Sequence, residues 1–243
     1  MQIVLGIHAV EAVVEKNPQR IKELLIAKGS PSKKLQSILD KAREQGISVQ
    51  AMPKEKLDKR APKSNHQGVI AICTATKALD EHDLKELVEN SDTNFFLILD
   101  GIQDPHNLGA CLRTADAAGV TAVIAPRDKS ASMSETVCKV ASGAAESIPL
   151  VQVTNLARTM QMLKDAGVWL YGFSDQAEKS LFDTKLTGAV ALVMGQEGEG
   201  IRALTAKNCD HLCFIPMHGT VSSLNVSVAT GVALFEALRQ RKS

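Results

Sequence analysis

From Phe95 onward, apolar residues come in short unbroken runs separated by stretches of helical spacing. Phe95–Leu99, Thr121–Ala125, Ile148–Val151, Val168–Tyr171 and Val190–Met194 read as strands, and Leu108–Ala118, Ser132–Ala141, Leu156–Ala166 and Ser223–Leu238 as helices. A strand that is apolar throughout is buried on both faces, and helices between such strands supply the cover. The pattern therefore predicts an α/β fold around a parallel sheet. The first 76 residues carry a smaller α/β pattern. Strand-like runs fall at Ile21–Ala27, Ile47–Ala51 and Gly68–Ala75. Between them, Ser32–Gln45 places Leu35, Ile38, Leu39 and Ala42 on one helical face, with Ser30-Pro31-Ser32 as a start and Gly46 as a stop. Met52–Arg60 reads as a second short helix and Ala61–His66 as a polar loop. Residues 77–90 turn abruptly acidic and helical, the character of a linker that ends in a helix. The expected organisation is thus a domain over 1–76, a linker over 77–90 and a larger domain over 91–243.

Composition narrows the class. The 243 residues are 44% hydrophobic with a net charge of +1, which excludes a disordered chain. No apolar run reaches the roughly 18 residues of a membrane span. The opening Met1–Lys16 lacks a basic leader region and a small-residue cleavage site, so it reads as structure and the protein as cytoplasmic. The near-neutral total hides an asymmetry. Residues 1–76 hold thirteen Lys and Arg against seven Asp and Glu, whereas residues 91–243 hold thirteen against fifteen. A basic first third suggests that this end holds an anionic macromolecule, and Lys16, Arg20, Lys22, Lys28, Lys33, Lys34, Lys41 and Arg43 are the candidates. The five cysteines are scattered, poor material for a disulfide framework. Cys209 and Cys213 could share a helical face around His211, but no second ligand pair has zinc-like spacing. They read as small buried residues, and no metal is expected.

Three clusters sit where predicted strands end, the place where parallel sheets bind ligands. In residues 99–119, Asp104-Pro105-His106-Asn107 is turn chemistry leading into a helix rich in small residues, with Arg113 in its middle. Arg113 suits either an ion pair with Asp116 or a phosphate contact. In residues 192–201, a strand runs into Gly195, Gly198 and Gly200 interleaved with Glu197 and Glu199. No Lys-Ser/Thr follows, so it is no P-loop. The spacing also fails a dinucleotide fingerprint, which makes an NAD-dependent dehydrogenase remote. Two acids suit a neutral or cationic ligand. In residues 215–241, the last helix opens with Ser222, Ser223, Asn225 and Ser227, residues that cap helices or line sites.

Taken together, the clusters resemble the three motifs of the SpoU (TrmH-like) family of RNA ribose 2′-O-methyltransferases, in the SPOUT superfamily. Asn107 and Arg113 match the first motif. Gly195, Glu197 and Gly198 match the second, and Pro216, Met217 and Ser223–Ala229 the third. The segment Gly6–Val13, with Asn65-His66-Gln67-Gly68, resembles the substrate-binding domain of many members, similar to the ribosomal L30e fold. The resemblance implies a small L30e-like α/β domain followed by a SPOUT α/β domain whose parallel sheet holds a deep trefoil knot. It implies S-adenosylmethionine as methyl donor, held around Gly195, Ile215, Met217 and Leu224, and no metal. It implies Asn107, Arg113, Glu197, Ser223 and Asn225 as catalytic residues in a homodimer. The likeness is strongest to members that methylate a guanosine ribose in 23S ribosomal RNA. An inactive RNA-binding assembly protein and a transfer-RNA methyltransferase are the alternatives.

Overall fold

The computed structural model describes every residue except 30, 63–64, 75–78, 91–92, 197, 199 and 243. In chain order the elements begin β1 (Gln2–Leu5), α1 (Ile7–Lys16), β2 (Ile21–Ala27), α2 (Lys33–Glu44), β3 (Val49–Met52), α3 (Lys54–Arg60) and β4 (Val69–Cys73). They continue with α4 (Glu81–Glu89), β5 (Phe95–Leu99), α5 (Pro105–Ala117), β6 (Ala122–Pro126), α6 (Glu135–Ala141), α7 (Ala144–Ser147), β7 (Leu150–Val153) and α8 (Leu156–Asp165). The remainder are β8 (Trp169–Phe173), β9 (Lys179–Ser180), β10 (Val190–Met194), α9 (Ala203–Asn208), β11 (His211–Phe214) and α10 (Val226–Arg241). The chain divides into two compact units, Met1–Lys77 with Ser142–Ser147, and Ala78–Ala141 with Ile148–Ser243.

The first unit is a four-stranded sheet in the order β1-β4-β2-β3, in which β4 runs antiparallel to β1 and β2 while β3 runs parallel to β2. The helical face expected of α2 is the buried one. Leu35, Ile38, Leu39 and Ala42 pack with Val10, Val13 and Val14 of α1 against Val4, Leu24 and Ala71 of the sheet. Ser32 caps α2 by accepting from the Leu35 amide at 3.2 Å. Leu57 of α3 packs with Leu25 and Ile70 in a second cluster. The predicted helix over Met52–Arg60 is shorter, because Met52 closes β3 and Pro53 stands before the helix. The unit also recruits α7 from far along the chain. Gly143 there adopts φ +99°, and a Cβ on it would lie 2.9 Å from the His8 carbonyl oxygen. Only glycine fits such a position.

The second unit is a seven-stranded sheet in the order β7-β6-β5-β10-β8-β11-β9, with every ladder parallel. Strands β5, β6 and β10 are buried along their whole length, as their unbroken apolar runs require. Leu84 and Val88 of α4 lie in the same core as Phe96, Ile98, Ile124 and Met160. The small residues of α5 serve helix packing: a Cβ on Gly109 would come within 2.7 Å of Val140 in α6. Residues 211–214 form strand β11, so Cys209 and Cys213 do not share a helical face. Among the described residues no cluster of His, Cys, Asp or Glu could hold a metal ion, and no helix is long and apolar enough to cross a membrane.

Candidate functional site

The three clusters come from segments that follow the carboxyl ends of β5, β10 and β11. Because β10 pairs with β5 on one side and β8 on the other, and β11 pairs with β8, the sheet itself sets these strand ends side by side.

After β10 the chain closes on itself. The Gln196 amide donates to the Gly200 carbonyl at 2.9 Å and the Gly200 amide returns the bond to Gln196 at 3.0 Å. A Cβ on Gly195 would sit 2.0 Å from the Gly200 carbonyl carbon, so no other residue fits there. Gly198 and Gly200 take φ of +82° and +68°, the left-handed region that glycine enters without strain. Glu197 and Glu199 lie outside the described residues.

An ion pair between a buried acid and an exposed arginine, neither singled out from the sequence, braces this loop. Asp100, at the end of β5, is fully buried. Its carboxylate accepts from the Arg202 amide at 3.0 Å, from Arg202 Nε at 2.8 Å, and from Nη2. The Asp100 amide donates to the Met194 carbonyl at 2.8 Å. Hydrogen bonding to Asp100 raises the Arg202 guanidinium above its ordinary value. The available signal was Asp100 itself, an acid directly after an entirely apolar strand.

Helix α5 starts at Pro105, three residues before the predicted start, because Asp104 caps it by accepting from the His106 amide at 2.9 Å. Asn107 therefore lies in its first turn rather than in a loop. Helix α10 starts at Val226, three residues after the predicted start at Ser223, because Asn225 is its cap. Asn225 Oδ1 accepts from the Ser227 amide at 2.9 Å and from Ser227 Oγ at 2.6 Å. Its Nδ2 donates to Asn107 Oδ1 at 3.1 Å, which joins the first and third clusters across 118 positions. The helices also meet where Cys111 Sγ donates to Thr230 Oγ1 at 3.6 Å.

Arg113 lies exposed on α5. Ser223 is exposed, and Ile215, Met217 and Leu224 are half-buried. The segment 216–224 between β11 and α10 makes, among the described residues, no backbone–backbone hydrogen bond. Its peptide groups and the half-buried Met217 and Leu224 are thus available to a ligand with polar edges and an apolar body. The structure joins Asn107 to Asn225 and closes the loop at Gly195. Among the described residues, neither hydrogen bonds nor ion pairs join Arg113 to Asn107, Ser223 or Asn225.

The buried thiols take no part. Burial pushes Cys111 up to about 11 and Cys213 up to about 12, so both stay protonated at neutral pH. Cys213 Sγ contacts the Gly172 carbonyl at 3.7 Å, and His211 stacks on Trp169 instead of facing the cysteines.

The site thus consists of a parallel α/β sheet, a glycine loop after one of its strands, and an asparagine pair that joins two of the clusters. The chain belongs to the SpoU rRNA methylase family, whose model matches residues 94–235, and the model for RNA 2′-O ribose methyltransferase substrate binding matches residues 3–79. It is 53% identical over 240 residues to the 23S rRNA (guanosine-2′-O-)-methyltransferase RlmB of Pectobacterium atrosepticum, covering 99% of this chain and 98% of that one. Identity to the protein of the same name in Escherichia coli is 52% over 240 residues, covering 99% of each. Among solved structures, the SpoU methyltransferase AviRb of Streptomyces viridochromogenes in complex with AdoMet superposes with a TM-score of 0.77 at 24% identity, covering 98% of this chain and 89% of that one.

Proposed function

We propose that this protein transfers a methyl group from S-adenosylmethionine to the ribose 2′-hydroxyl of a guanosine in 23S ribosomal RNA. The observation that carries the reading is the end-to-end likeness, above half identity, to relatives named for that reaction. S-adenosylmethionine, when bound, supplies an electrophilic methyl group on a sulfonium. Gly195, Ile215, Met217 and Leu224 would hold it. The half-buried apolar side chains of 215–224, and the peptide groups of 216–224 that make no backbone–backbone hydrogen bond among the described residues, fit an adenosine-like ligand.

The chemistry asked of the remaining residues is to make a poor nucleophile attack in line. Holding the 2′-hydroxyl in one orientation contributes much of the rate. Asn225 is fixed by Asn107 and by the first turn of α10, so its amide is held rather than free to rotate. Ser223, two residues earlier, and Glu197 would position the ribose and Arg113. A guanidinium is a poor proton acceptor, so electrostatic stabilisation is the part assigned to Arg113 ahead of that of a base. Its guanidinium would hold a substrate phosphate and stabilise the alkoxide that develops as the proton leaves to water.

We infer three further features of the architecture. The first unit, a mixed sheet with helices packed on it, would be the L30e-like substrate-binding domain. The carboxyl-terminal threading would form the deep trefoil knot. In its support, β10 inserts between β5 and β8, β11 lies beyond β8, and α10 returns to α5. The protein would act as a homodimer. In its support, α10 buries Val226, Ala233, Leu234 and Ala237 yet leaves Val228 52% and Phe235 49% exposed, seven residues apart on one outer stripe. The protein would act in the cytoplasm, in keeping with an rRNA substrate and with the absence, among the described residues, of a helix able to cross a membrane.

The test is transfer of label from S-adenosylmethionine to rRNA from cells lacking this protein, with digestion to nucleosides. Label in 2′-O-methylguanosine is expected, and Arg113→Ala should reduce the rate by about 10²–10³-fold without changing the melting temperature. Label in transfer RNA alone would overturn the substrate. Neither label nor cofactor binding would make the chain an RNA-binding assembly protein.

A further inference from the structure

The basic residues of the first unit are not equivalent. On α2, Lys34 pairs with Glu11 at 2.7 Å, Lys41 with Glu15, and Arg43 with Asp40 at 3.1 Å. Arg20 is held by Glu146 at 2.7 Å in the interior. Charge on that side is largely compensated. Lys33 on α2 has no such partner among the described residues, but a larger group of cations without one lies elsewhere.

Strands β2 and β3 run parallel, and the Lys28 amide donates to the Met52 carbonyl at 2.8 Å just past their carboxyl ends. Pro53 then turns the chain into α3. Leu57 faces the core, and the exposed Lys56, Lys59 and Arg60 fall at the i, i+3 and i+4 positions of one helical face. Between this face and the strand ends lies an open groove of about 640 Å³, lined by Lys28, Gln50, Met52, Lys56, Lys59 and Arg60 among others, with no acidic residue in its wall. Among the described residues none of these four cations has an ion-pair partner. The Asp58 carboxylate, on the same helix, is engaged by His66 Nε2 at 2.7 Å.

We propose that this groove, rather than the lysine-rich α2, is where the first unit grips the phosphodiester backbone of the substrate RNA, with Lys28, Lys56, Lys59 and Arg60 as the phosphate contacts. The proposal rests on the RNA methyltransferase reading and names the surface that serves it. Four unpaired cations spaced along a helix and a strand end match the repeated charge of a nucleic-acid backbone. Gln50, exposed on the edge strand, supplies a neutral donor and acceptor beside them for a base or a ribose hydroxyl. The chain has one Trp and one Tyr, and neither lies in this unit, so contact there is by charge and hydrogen bonding rather than aromatic stacking.

The test compares the full-length protein with two variants that lose the same charge. The groove variant carries K28Q, K56Q, K59Q and R60Q. The control carries K33Q, K34Q, K41Q and R43Q on α2. Binding to 23S rRNA is measured across a salt series, with methyl transfer at saturating RNA and melting temperature as companions. The groove variant is expected to bind about tenfold or more weaker at ~0.15 M salt, with the slope of log K against log[salt] shallower by about 3. The control is expected to stay within about threefold of wild type, both variants to keep their melting temperatures, and the groove variant's loss of methyl transfer to appear as a raised KM for RNA. Equal losses in the two variants, or an unchanged slope in the groove variant, would overturn the assignment. So would normal binding to naked rRNA with failure only on a ribosomal particle, which would make the groove a protein contact. If the wild-type protein methylates rRNA and the groove variant matches the control, only this proposal falls. If the wild type neither binds nor methylates rRNA, the functional reading falls with it.

Discussion

Replacing Glu146 with alanine removes an acid that holds a distant chain segment inside the first unit. Its side chain is only 4% exposed and that of Arg20 12%. The carboxylate accepts from Arg20 Nη1 at 2.7 Å and from Gln2 Nε2 at 3.0 Å, while the Glu146 carbonyl accepts from Asn17 Nδ2 at 2.8 Å. The alanine variant keeps the carbonyl contact but leaves the guanidinium buried without its counter-charge. Breaking a buried ion pair from one side costs about 3–5 kcal/mol. Arg20 retains Gln2 Oε1 at 2.8 Å and the Thr74 carbonyl at 3.3 Å, which puts the expectation at the lower end, about 3 kcal/mol. In a domain of about 60–100 residues each kcal/mol moves Tm by about 4–8 °C, so a fall of more than about ten degrees follows. Urea unfolding followed by two probes makes the measurement specific. All eight aromatic residues lie between positions 95 and 235, in the second unit, so Trp169 fluorescence reports there while far-UV circular dichroism reports on both. The variant should shift the dichroism transition and leave the fluorescence transition in place. Removing both charges, with Arg20→Met beside Glu146→Met, should recover stability to within about 2 kcal/mol of wild type, because no charge is left buried without its partner and the remaining cost is the bonds that Gln2 made to the pair. A loss below about 1 kcal/mol in the alanine variant, or an equal shift of both probes, would refute the reasoning.

Gly195→Ala should abolish S-adenosylmethionine binding by calorimetry, since its Cβ would lie 2.0 Å from the Gly200 carbonyl carbon and the loop would have to open. Asn225→Ala removes the cap on Ser227 and the bond to Asn107; denaturant unfolding should show a loss of about 1–2 kcal/mol, with a fall in methyl transfer larger than that loss explains. Alkaline pH should destabilise the protein through its buried thiols. Burial raises Cys111 from 9.0 to about 11, so in that window the unfolded chain releases a proton that the folded chain keeps. Stability is therefore full below pH 9 and falls as pH rises toward 11, by about 2–3 kcal/mol for this group. Cys111→Ala should flatten the decline, measured as urea midpoint against pH.

Apolar periodicity identified faces well and ends poorly. It placed Leu35, Ile38, Leu39 and Ala42 on the buried side of α2, and it found five of the strands of the large sheet. Helix starts went wrong where a polar residue set them. Asp104-Pro105 begins α5 before the apolar repeat does, and Asn225 delays α10 past two serines. Strand β11 escaped because four residues opening on an exposed histidine carry too little alternation to register. Recruitment of α7 into the first unit was unreadable for a different reason. What places Glu146 there is a partner 126 positions away, and local patterns hold no information at that range.

The site divides along the same line. The glycines after β10 announced a tight loop, because glycines after a buried strand have few other uses. The union of Asn107 with Asn225 came only through the motifs they belong to, since nothing near either residue points to the other. Asp100 stands between these cases. A carboxylate that ends a strand buried on both faces must have a cation or several donors, or the strand could not end there. The chain therefore stated that a partner exists without stating which. Choosing among the candidates required knowing that β10 lies beside β5, for only then does the residue two positions past the glycine loop, Arg202, arrive within reach. Strand order is set by the packing of the whole sheet, which is why a site assembled from three strand ends can be suspected from its parts and identified only when they meet.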